Sequence, residues 1–176
     1  LVPASRMTET NKLLRLWVHE VYRIFNDRFI EDSDREQFFN IVKDVCQDIY
    51  KTSIDKILSH LTLSGKVTDE DIRSLFFGDY INPEGERIYD EITNLKELTK
   101  IMEHYLEEYN MISKAPMSLV MFKFAIEHIS RVSRVLKQDN GHALLAGIGG
   151  SGRQSATKLA AFMTDYDLFQ IEITRN

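Results

Sequence analysis

The stretch Gly147-Ile148-Gly149-Gly150-Ser151-Gly152-Arg153-Gln154-Ser155 constrains this chain more than any other. A short continuous apolar run, Ala143-Leu144-Leu145-Ala146, stands directly before it. Such a run fits a strand buried on both faces. Behind it, Ala156, Leu159, Ala160 and Met163 recur at helical spacing. Residues 168–173 read as a second strand. Strand, glycine loop, helix and strand in that order open a parallel α/β unit.

The glycine spacing matches a phosphate-binding loop, G-x-x-x-x-G-K-[ST], with Gly147 and Gly152 at the two glycine positions. Glycines suit it because the backbone must curl through positive φ and approach an anion without a Cβ in the way. Successive N–H groups then converge on the anion, and the following helix adds its positive end. Gly150 and Ser151 complete the expected cradle. Two positions depart from the pattern. Arg153 replaces the usual lysine, keeping the charge on a planar fork instead of a compact ammonium. Gln154 replaces the magnesium-binding Ser or Thr, and Ser155 follows one position late. Gln154 or Ser155 is therefore at most a weak Mg2+ ligand, and Mg-nucleotide binding is expected to be weakened or altered. The bland alternative is a tight strand-to-helix turn that binds nothing.

The remaining sequence is ordinary for a soluble globular protein of one full or two partial domains. It has 176 residues, 43% hydrophobic and 28% charged, which excludes a disordered chain. The net charge of −5 and the lack of a basic block argue against nucleic acid as a partner. No apolar run is long enough to cross a membrane. Cys46, the single cysteine, cannot form an internal disulfide and is expected to be a buried, inert thiol. The five histidines have no short metal-ligand spacing. Residues 1–7 read as a tag remnant ending at Met7.

Upstream of the loop the pattern is helical. Leu14, Trp17, Val18, Val21 and Phe25 mark a first helix over about 11–30, with Trp17 as core. Ser33-Asp34-Arg35-Glu36 has the form of a capping box, ahead of Phe38, Phe39, Val42, Val45, Cys46 and Ile49. A shorter helix is expected over 54–63. Thr68-Asp69-Glu70-Asp71 starts another, which Gly78 should end. Asn82-Pro83 and Gly85 are turn formers, so the domain boundary is drawn after residue 78. Asn94 caps a helix through Leu98, Met102 and Tyr105. A long helix follows Pro116 with Phe122, Ile126, Ile129 and Val132 as its stripe, stopping at Asn140-Gly141.

Gly141-His142-Ala143-Leu144-Leu145-Ala146 with the glycine loop, then Lys158-Leu159-Ala160 and Phe169-Gln170-Ile171-Glu172-Ile173, closely resembles the start of the fourth AAA+ module of axonemal dynein heavy chains. The Arg153 and Gln154 departures are similar to what that group carries. Leu14-Arg15-Leu16-Trp17-Val18-His19-Glu20-Val21-Tyr22-Arg23 looks like the small helical subdomain of the preceding, third module. The resemblance covers nearly all of residues 7–176.

It implies a mainly α chain in two parts. Residues 8–78 would form a helical lid subdomain. Residues 79–176 would supply the opening helices and the strand–P-loop–helix–strand of a truncated α/β AAA+ large subdomain. It further implies an ATP-driven, minus-end-directed microtubule motor of cilia and flagella, in the cytoplasm, cytoskeleton and axoneme. Gly147, Gly150, Ser151, Gly152, Arg153, Gln154 and Ser155 would hold the phosphates of ATP or ADP with Mg2+, at a regulatory site. Partners would be neighbouring AAA+ modules of the same chain and, through the parent, microtubules and dynein intermediate and light chains. No catalytic acid can be assigned before Asn176, so the chain alone is expected to be inactive. Two other readings compete: another P-loop NTPase or kinase with a helical extension, and a non-catalytic helical interaction module.

Overall fold

The computed structural model describes residues 7–171. The reading of residues 1–6 as a tag and the last positions of the second expected strand lie outside the described residues. The chain divides into two compact units, one ending at Leu95 and one beginning at Lys96.

The first unit holds α1 (Thr10–Ile24), α2 (Asp32–Asp48), α3 (Ile54–Ile57), α4 (Asp69–Ile72), β1 (Phe76–Gly78) and β2 (Asp90–Ile92). Its core gathers Leu16, Val18 and Tyr22 from α1, Phe39, Val42 and Cys46 from α2, and Ile54, Ile57, Leu58, Ile72, Leu75 and Phe77 beyond them. Trp17 packs against this core, its ring edge-on to Tyr50 at 5.1 Å, as the helical stripe predicts. Phe38 fills the corner between α1 and α2, with Tyr22 and Phe29 rings at 5.3 and 5.6 Å. α4 starts where expected, and there Thr68 and Asp71 bond each other's backbone N–H reciprocally. Tyr22 reaches the same turn, its hydroxyl donating to Asp69 at 2.9 Å. Burial, then the Asp69 carboxylate, pushes the Tyr22 phenol far above its ordinary pKa, so it stays a neutral donor.

Several local expectations give way to tertiary structure. The α2 helix begins at Asp32, with Glu31 as its N-cap and no side-chain cap bond, so Ser33 lies inside the helix and forms no capping box. The first helix ends at Ile24 and continues as a tighter turn over Asn26–Arg28. The 54–63 segment splits into α3 and a short 3-10 turn, Ser59–Leu61. Gly78 ends no helix: it sits in β1, where a Cβ would run into the Tyr80 ring. β1 pairs antiparallel with β2, placing Phe76 opposite Ile92 and Gly78 opposite Asp90. The first compact unit runs to Leu95, and the returning strand belongs to it. Lys12 to Asp90 and Arg15 to Glu91, both at 2.8 Å, tie α1 to that strand.

Cys46 is fully buried, and burial pushes its thiol up to about 11. The reactive thiolate is thus scarce at neutral pH. Iodoacetamide at pH 8 is expected to leave native Cys46 unmodified and to label it rapidly in urea. Fast labelling without denaturant would contradict the burial.

The second unit contains α5 (Leu95–Ile112) from Lys96 onward, α6 (Lys123–Leu136) and α7 (Arg153–Met163). Leu98, Met102 and Tyr105 of α5, Ile126, Ile129 and Val132 of α6, and Ala156, Leu159, Ala160 and Met163 of α7 are its buried faces. Phe162 of α7 meets the rings of Tyr105 and Tyr109 edge-on at 6.4 and 5.7 Å. The Asn110 side chain clips the α5–α6 connection by bonding both the N–H and the carbonyl of Met117 at 2.9 Å. Phe122, expected to open the buried stripe, instead stays exposed as the N-cap of α6.

Neither expected strand appears among the described residues. Residues 143–146 and 168–171 carry no regular secondary structure, and the β1–β2 pair is the one sheet among the described residues. A strand is stabilised by hydrogen bonds to its neighbours, and a parallel sheet needs both faces covered. Leu144 and Phe169 instead stand 96% and 87% exposed.

Candidate functional site

The glycine loop begins where the apolar run 143–146 ends and finishes at the first residue of α7. Gly150 and Gly152 take positive φ, 77° and 79°, in the left-handed region that an L side chain rarely adopts. Gly152 is the N-cap of α7, and its carbonyl receives the Ala156 N–H at 2.9 Å. No side chain caps this helix end, so its first N–H groups and its positive dipole end remain directed at the loop.

Gly147 has a different role. Its φ is not in the left-handed region, but a Cβ there would come to 3.2 Å from Ser151 Oγ and 3.3 Å from Arg153 Cδ and Nε. The missing side chain makes room for Arg153 to fold back over the loop. The Arg153 guanidinium donates to the Leu145 carbonyl at 3.2 Å and to the Ile148 carbonyl at 3.0 Å. One fork therefore spans the entry and the crest of the loop.

The loop forms one wall of an open cleft of about 810 Å³. Of the residues singled out from sequence, Gly150, Ser151, Gly152, Arg153, Gln154 and Ser155 all line it, and Gly147 does not. Gln154 and Ser155 face the same cleft, although they are adjacent on a helix. Sequence reasoning passed over two further lining residues, Thr157 and Lys158. Thr157 turns its hydroxyl back to the Arg153 carbonyl at 2.8 Å. Lys158 is half-buried, one helical turn beyond Gln154. That i to i+4 relation was the available signal, since residues so spaced share a helix face. Residues 168–171 line the cleft as well. The cleft thus presents glycine-loop amides, a helix N-terminus and cationic side chains, an arrangement suited to a polyanion. No group of acids, histidines or cysteines able to hold a metal occurs among the described residues.

Comparison with known proteins gives two family matches. Residues 117–176 match the P-loop containing dynein motor region D4, and residues 3–60 match an AAA+ lid domain. The whole chain aligns with dynein axonemal heavy chain 3 of Homo sapiens at 63% identity over 177 residues. It is 45% identical to human dynein axonemal heavy chain 12 over 180 residues, again using the whole chain. Over 98% of its length it is 36% identical to human dynein axonemal heavy chain 1. The chain spans only 4%, 6% and 4% of these three relatives.

Proposed function

Because this chain belongs to the axonemal dynein heavy chains, we propose that its glycine loop is a regulatory nucleotide site within the AAA+ ring of a ciliary motor. The parent is read as an ATP-driven, minus-end-directed microtubule motor of the axoneme. It would work with neighbouring AAA+ modules of the same chain, with microtubules, and with dynein intermediate and light chains. The observation that carries the reading is the backbone of 147–155. Two left-handed glycines lead into an uncapped helix N-terminus, within the region that matches the dynein P-loop model.

Gly150 and Gly152 would receive phosphate oxygens through their N–H groups, joined by Ser151 once its N–H leaves the Ile148 carbonyl it now meets at 3.4 Å. Gln154 and Ser155 would offer neutral oxygens to Mg2+. A Gln carbonyl is a longer and less fixed ligand than the usual hydroxyl, so the metal should contribute little here. The residues named hold and orient phosphates; none of them is suited to activate water. Binding and signalling to neighbouring modules, without turnover by this segment, is the activity they support.

Calorimetric titration of the chain with ATP and ADP, each with and without Mg2+, tests the reading. Saturable one-site binding, weakly dependent on Mg2+, is expected. A well-folded chain that takes up neither nucleotide would refute it. Gln154→Thr restores the hydroxyl, so EDTA should weaken ATP binding in the variant clearly more than in the original chain. Equal EDTA sensitivity would remove Gln154 from the metal's surroundings.

A further inference from the structure

We infer that the two cations of the cleft divide their work: Arg153 clamps the glycine loop, and Lys158 is the side chain that meets the nucleotide phosphates. The inference rests on the nucleotide reading above and assigns its charge contacts.

In the loop pattern, the position of Arg153 is the one whose side chain reaches the β- and γ-phosphates. Here its guanidinium is engaged elsewhere, on the carbonyls of Leu145 and Ile148 at 3.2 and 3.0 Å. The stem also runs close over Gly147, with Cδ and Nε 3.3 Å from where a Cβ would stand. This geometry suits a planar fork with several fixed donors and would not suit a compact ammonium. Loop shape and arginine are matched: Gly147 leaves the passage, and the fork bridges entry and crest. Turning Arg153 to the phosphates would release both carbonyls and loosen the loop that aims the amides.

Lys158 lines the same cleft from the second turn of α7. Helical side chains tilt toward the N-terminus, so a residue covers the turn before its own Cα. For Lys158 that turn holds Gln154 and Ser155, at the phosphate end of the cleft. Its long stem is half-buried, and a flexible ammonium on such a stem can follow a phosphate. Nothing in the loop pattern calls for a cation at this position, which is why the sequence reading passed over it.

The test compares Arg153→Gln and Lys158→Gln, each of which removes one charge and keeps an N–H donor. ATP and ADP are titrated at low and high salt, and hydrogen exchange is followed over 145–152. Lys158→Gln should weaken binding about tenfold, the worth of one charge-assisted hydrogen bond, and flatten the salt dependence. Lys158→Arg should recover most of the loss. Arg153→Gln should keep the salt dependence of the original chain and raise loop exchange. The inference is overturned if Arg153→Gln flattens the salt dependence and Lys158→Gln does not. If the original chain binds no nucleotide while circular dichroism finds it folded, the nucleotide reading itself fails and this assignment fails with it.

Discussion

Gly152→Asp is expected to abolish nucleotide binding and leave the helices intact. Gly152 sits at φ 79°, ψ 3° and caps α7. Asp tolerates the left-handed region better than most residues, and it is a favoured N-cap that complements the helix dipole. The new carboxylate should therefore occupy the helix end productively, where a phosphate oxygen would otherwise sit. Two like charges about 4 Å apart near a protein surface repel by about 4 kcal/mol, so a loss of roughly a hundredfold or more is expected. Gly152→Ala separates strain from charge. It adds a Cβ where nothing stands within 4 Å, and the left-handed backbone costs it about 1–2 kcal/mol. Its binding should weaken less than that of the Asp variant. Calorimetry with ATP, alongside far-ultraviolet circular dichroism, reads both effects. Undiminished binding by the folded Asp variant would remove the loop from nucleotide recognition.

Phe77→Ala should be the most damaging of the single substitutions considered for the first unit, at about 3–5 kcal/mol, as for other buried phenylalanines cut to alanine. Phe77 is 2% exposed, with the His19 ring at 5.2 Å and the Tyr89 ring stacked at 6.1 Å. It therefore joins α1, β1 and the approach to β2. Its loss opens a cavity that three elements border, and a two-strand ribbon has little independent stability to fall back on. Urea titration measures the change. Trp17, the only tryptophan, packs against the same core and reports unfolding of this unit by fluorescence. Ile30→Ala is the control: Ile30 is 87% exposed, so its truncation should cost under about 0.5 kcal/mol. A Phe77→Ala cost below about 1 kcal/mol would mean that the hairpin is not part of the first core.

The helices were legible because their signal is local. Leu98, Met102 and Tyr105, or Ile126 and Ile129, are buried as their spacing demands. The glycine loop was legible for the same reason, since positive φ at Gly150 and Gly152 needs no distant partner. The capping box at Ser33 misled because Glu31 and Asp32 already begin the helix, and a serine inside the first turn has no cap to make. The run 143–146 misled because an apolar stretch specifies only a willingness to be buried, whereas a strand requires neighbours.

Sequence alone determined that this protein is mainly helical, that a glycine-rich loop opens its last described helix, and that its relatives are dynein heavy chains. The first two follow from periodicity and motif within short windows, and the third from a resemblance that runs along nearly the whole chain. Only the tertiary structure decided that Phe76–Gly78 returns to Asp90–Ile92, that the first unit extends to Leu95, and that Arg153 turns back onto its own loop. Each of these depends on which groups meet across the fold. A lone arginine at a loop position has several carbonyls and anions within reach, and its choice is set by where the folded backbone puts them.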